Sequence, residues 1–181
     1  ANSKIQNFNH LKIHSQFSIC EGAIKIDDLK DYSKENKIKS LALCDTSNLC
    51  GALEFAEKIS KSGTQPIIGT QINFKYGEIT GLLPLYALNE EGYKKIIEFS
   101  SASFLENDTL SDPHLNLEVL LNNNNKGIAL LTGTIHGLFG KLFDKGKFSQ
   151  ISQLYSNLKS KYQNKFYIEI QRHGDQNEIG F

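Results

Sequence analysis

Short apolar segments alternate with amphipathic ones along this chain, and no other feature of the sequence limits the fold as tightly. HLKIH (10–14), SLALCD (40–45), QPIIGTQINF (65–74), GLLPLYAL (81–88), GIALLTG (127–133) and FYIEIQ (166–171) have the length and apolar density of strands. Between them, 23–37, 48–63, 90–105 and 148–162 read as helices. In the first helix Ile24, Leu29 and Tyr32 fall at roughly helical spacing. In the second, Leu53, Phe55, Ala56 and Ile59 are placed to pack inward, and Gly63 ends the run. Strands alternating with helices over short connections predict an α/β fold with a parallel sheet or barrel. There is no internal repeat, and NNNNK (122–126) reads as a surface turn. About six strands precede Phe181, fewer than a closed barrel needs, so a barrel would be unfinished there.

With 181 residues the chain can bury a sizeable core as one domain, or as one domain cut short. Lys and Arg balance Asp and Glu at 20 each, so nothing marks it as a nucleic-acid binder by itself. Arg172 is the only Arg; the other cations are Lys, which lacks the bidentate fork suited to phosphate. No apolar run is long enough to span a bilayer and no signal peptide is apparent, which predicts a cytoplasmic protein without membrane contact. Cys20, Cys44 and Cys50 are odd in number and form no CxxC, so they read as buried reduced thiols. The first residue is Ala, not Met, which suggests a piece of something longer.

In HLKIH, the side chains of His10, Lys12 and His14 would project from one face of a strand. Two imidazoles at that spacing begin a metal site, but the Lys between them donates only and cannot ligate while protonated. In barrels of parallel strands, chemistry gathers at the carboxyl ends. Those ends carry His14, Asp45, Gln71, Thr132 to His136, and Arg172 with His173, while Glu21 lies in the loop after the first strand. His, Asp and Glu from separate ends can converge on a metal cluster. Taken singly, each also has a plainer reading: a solvated His, or Asp45 capping the next helix. Leu138 and Phe139 read as core or as a small docking patch.

The runs HLKIHSQFSICEGAIKIDDL, SLALCDTSNLCGALEFAEKISKSGTQPIIGTQINF, KGIALLTG and FYIEIQRHG together carry a family resemblance. The chain resembles the PHP (polymerase and histidinol phosphatase) domain, in the version found at the N-terminus of the α subunit of bacterial DNA polymerase III. The likeness runs from about Phe8 to about Glu178. It implies one domain over 1–181 with a distorted, TIM-like (β/α)7 barrel, cut before its last strand or strands. In metal-binding members the strand ends hold up to three divalent ions. Carried over by position, the His-X-His of the family falls on Lys12 and His14, so its first His is replaced. The acidic loop residue falls on Glu21. The Thr-Asp-His falls on Cys44, Asp45 and Thr46, keeping the Asp and losing the His. The Glu after PIIG falls on Gln71, a neutral amide, and a later His matches His173.

The resemblance therefore implies a remnant site of His14, Glu21, Asp45 and His173, with substitutions at Lys12, Thr46 and Gln71 and without a metal. An ammonium at Lys12 would repel a cation by several kcal/mol, taking about 4 kcal/mol per unit-charge pair at 4 Å and an effective dielectric near 20. Lys12 could instead pair with Asp45 or Glu21. With His14 and Arg172 it could also hold a phosphate or sulfate. On this reading the fragment itself has no catalytic residue and no cofactor, and it serves as a scaffold and docking surface. The implied partners are the proofreading exonuclease and other polymerase III holoenzyme subunits. DNA synthesis would belong to a downstream palm domain using Mg2+, with DNA bound through downstream domains. The alternative is an active, metal-dependent PHP phosphoesterase using Mn2+ or Zn2+. A third reading is an unrelated α/β barrel binding a small anion.

Overall fold

The computed structural model describes the backbone of 10–13 and residues 24–46, 49–105, 112–122 and 125–169. They fall into two compact units, Ala1–Thr70 and Gln71–Phe181.

In the first unit, β1 (His10–Ile13) pairs in parallel with β2 (Ser40–Thr46), His10 against Leu41 and Ile13 against Leu43. Leu41 to Asp45 are all buried, so β2 is covered on both faces and reads as a continuous apolar run. Two helices pack together beside it: α1 (Ile26–Glu35) and α2 (Ala52–Lys61). The core joins Ile26 and Leu29 of α1, Leu41 and Leu43 of β2, and Phe55 and Ile59 of α2. The first half of β3 (Gln65–Tyr76) lies beside β2. The Gln65 N–H donates to the Lys39 carbonyl at 2.9 Å, and the Thr70 hydroxyl to the Asp45 carbonyl at 2.7 Å, so the two segments run the same way.

The helix faces differ in detail from the sequence reading. On α1 the buried residues are Ile26, Leu29 and Ser33, whereas Ile24 and Tyr32 are exposed. The Ser33 hydroxyl meets its needs inside the helix by donating to the Leu29 carbonyl. On α2, Ala52, Phe55 and Ile59 form the buried stripe. Leu53, about 100° further round the helix from Ala52, is 77% exposed. Gly63 follows the end of α2 with φ +80, as its stop signal predicts. Cys44 is buried, but Cys50 is exposed at the start of α2, contrary to the uniform burial expected of the thiols.

In the second unit, the rest of β3 turns through Gly77 (φ +61) and Glu78 into β4 (Ile79–Ala87). A two-residue link between neighbouring strands makes an antiparallel hairpin, because a parallel return needs a crossover of a dozen or more residues. β4 also pairs antiparallel with β6 (Ile128–Leu131), Leu85 against Leu130. β6 is parallel to β7 (Phe166–Tyr167), and β3 is parallel to the two-residue β5 (Leu115–Asn116). The sheet is thus mixed, where a parallel one was expected. α3 (Glu90–Leu105) packs on β4 and β6. α5 (Leu138–Asp144) packs on β4, and α6 (Phe148–Tyr162) on α5 and β7. α4 (Glu118–Asn122) lies against α6.

Two further expectations change in this unit. NNNNK is not all surface: Asn125 is buried, donating to the Tyr162 hydroxyl at 2.8 Å and the Leu120 carbonyl at 3.2 Å. Leu138 and Phe139 are core, buried at the start of α5, and offer no docking patch.

Candidate functional site

β2 delivers Asp45 and Thr46 to its carboxyl end, as the strand reading predicts. Asp45 is 2% exposed and Thr46 is half-buried. The Thr70 hydroxyl, itself buried, holds the Asp45 backbone through its carbonyl. Asp45 does not cap α2: that helix begins at Ala52 with Gly51 in the cap position and no side-chain cap.

Gln71 is buried, but it does not end its strand. β3 continues to Tyr76, because INFKY extends the apolar run into the hairpin with β4. Of the other positions, the side chain of Lys12 and all of His14, Glu21, Arg172 and His173 lie outside the described residues.

The end of β6 is organised by Thr132, whose place among the strand-end residues gave no hint of its role. Its N–H donates to the Tyr167 carbonyl at 3.0 Å, and its hydroxyl oxygen accepts the Glu169 N–H at 3.0 Å. One buried threonine therefore ties the outgoing ends of β6 and β7 together. It also places the half-buried Glu169 beside them. Thr132 is among the strand-end candidates, but Glu169 is not, because it reads as the polar half of a strand alternation in FYIEIQ. Further along the loop, the His136 N–H meets the Thr134 hydroxyl at 3.4 Å, and the imidazole of His136 is exposed.

Among the described residues, open grooves of the second unit include two that are lined by other side chains. One, of about 440 Å³, is lined by Leu121, Asn157, Ser160 and Lys161. The other, of about 380 Å³, runs past Thr80, Lys141 and Lys145. In the first unit Lys58 meets two carboxylates, Asp27 of α1 at 2.8 Å and Glu54 of α2 at 2.7 Å. Its hydrogen bond to Lys58 holds the Asp27 carboxyl below the usual range, and the two carboxylates raise Lys58.

Residues 10–173 match the family model described as the PHP domain. The chain belongs to the PHP family. A DNA polymerase III subunit alpha from Caulobacter vibrioides is 33% identical over 93% of this chain and 15% of its own length. Others from Rickettsia felis (35%) and Borreliella burgdorferi (32%) are matched over 92% of this chain and 14% and 15% of their lengths. The chain thus spans about 15% of the length of these curated relatives.

Of the expected ligand positions that are described, Asp45 is a carboxyl, Thr46 a neutral hydroxyl and Gln71 a neutral amide, and the latter two are weak donors to a divalent ion. Among the described residues, no three His, Cys, Asp or Glu side chains come together as a cation site would require.

Proposed function

We propose that this chain is the PHP domain at the N-terminus of a bacterial replicative polymerase α subunit, with 1–181 forming one domain of a longer protein. The observation that carries this reading is the identity to DNA polymerase III α subunits, which extends over more than nine-tenths of the chain. The barrel of the PHP type, distorted and of seven β/α units, belongs to the same proposal.

The phosphoesterase site of the family is degenerate here. Lys12, Thr46 and Gln71 stand where two imidazoles and a carboxylate would ligate, leaving His14, Glu21, Asp45 and His173 as remnants. A cation at Lys12 and two neutral groups disfavour a divalent ion together more than any one of them would alone. A phosphate or sulfate contacted by Lys12, His14 and Arg172 is compatible with that charge. The domain then acts as a scaffold in the cytoplasm and as a docking surface for the proofreading exonuclease and its holoenzyme partners. DNA-directed DNA synthesis resides in a downstream palm domain with Mg2+.

Elemental analysis of the purified protein, paired with hydrolysis of a generic phosphodiester in added Mn2+, tests the site. Substoichiometric metal and no turnover are expected. Stoichiometric metal, with turnover abolished by His14→Ala, would overturn the proposal in favour of an active phosphoesterase. Co-elution with the proofreading exonuclease on size exclusion tests the docking role separately.

A further inference from the structure

We draw no further inference here: the strongest candidate, the C-terminal end of α3 with Phe104 and Leu105 exposed, is an apolar surface patch and nothing in the structure shows what covers it.

Discussion

Tyr162 shows how much one residue can settle about a short connection. Its ring is buried at the end of α6, and its hydroxyl donates to the Leu120 carbonyl at 2.8 Å while accepting from Asn125. Burial pushes the phenol up to about 12, against the small downward pull of the Asn125 hydrogen bond. The folded protein therefore holds this proton more tightly than the unfolded chain, whose Tyr titrates near 10. The associated stability is fully present below pH 10, falls as pH rises from 10 to 12, and is gone above that. At about 1.4 kcal/mol per unit, the loss is roughly 2–3 kcal/mol. Tyr162→Phe should cost about 1–3 kcal/mol near neutral pH, because Leu120 loses a donor and Asn125 an acceptor in a buried site. The same variant should lack this part of the alkaline decline. Urea unfolding of both proteins at pH 8 and pH 11 checks the point, and an equal decline in the two would remove Tyr162 as its source. A run of asparagines conceals all of this, since a polar repeat reads as solvated and only tertiary packing shows that Asn125 turns inward.

The elements are held by a few close contacts that single substitutions can test. The residues leading into α3 are held at both ends: the Leu88 N–H donates to the Gly127 carbonyl before β6 at 2.7 Å, and the Asn89 side chain accepts the Gly92 N–H in the first turn of α3 at 2.8 Å. A Cβ at Gly92 would lie 1.9 Å from the Gly127 oxygen. In a free helix, Gly→Ala gains about 1 kcal/mol. Gly92→Ala should instead destabilise by about 1–3 kcal/mol, the cost of overpacking, as read from the denaturant midpoint. In the first unit, Lys58→Ala breaks the clasp between α1 and α2 but leaves their apolar seam intact. Its effect should be small at low salt and vanish in molar salt, whereas a loss that persists in salt would mean that packing of the lysine stem is responsible. Long elements were legible: α3 and α6 occupy the 90–105 and 148–162 runs. Periodicity over four turns leaves little freedom. The five-residue α4 and the two-residue β5 carry too few residues for any period. α5 was hidden differently, because Leu138 and Phe139 read either as core or as a loop patch until β4 is seen beneath the helix. Strand direction failed at Gly77–Glu78, where the turn was there to be read but the β/α alternation outweighed it. Pro84 would ordinarily argue against an interior strand. Here β4 pairs with β6 from Leu85 to Ala87, so the missing N–H falls just outside that ladder.

For the whole molecule, Asp45 poses the choice between chemistry and architecture. Its place at the end of a compact strand was legible, whereas Gln71, expected at a strand end, lies inside a strand that runs on into a hairpin. A scaffold and a catalytic domain make opposite demands on these residues. If the domain supports a longer polymerase, removing core volume should harm it more than neutralising Asp45. Phe55 is fully buried among Ile26, Leu29, Leu41, Leu43 and Ile59, so Phe55→Ala should cost about 3–5 kcal/mol in cavity and transfer free energy. Asp45→Asn keeps the side-chain volume and the backbone carbonyl that receives Thr70, and replaces one carboxyl oxygen by an amide N–H2 that donates and carries no charge. In the full-length subunit, Phe55→Ala should shorten the half-life of primer extension at elevated temperature while leaving the initial rate near that of the parent. Asp45→Asn should leave the initial rate unchanged. A drop in extension rate on Asp45→Asn, with thermal half-life preserved, would place this carboxylate in the working chemistry and end the scaffold reading. An unchanged rate with a shortened half-life would instead make Asp45 part of the architecture that the scaffold requires.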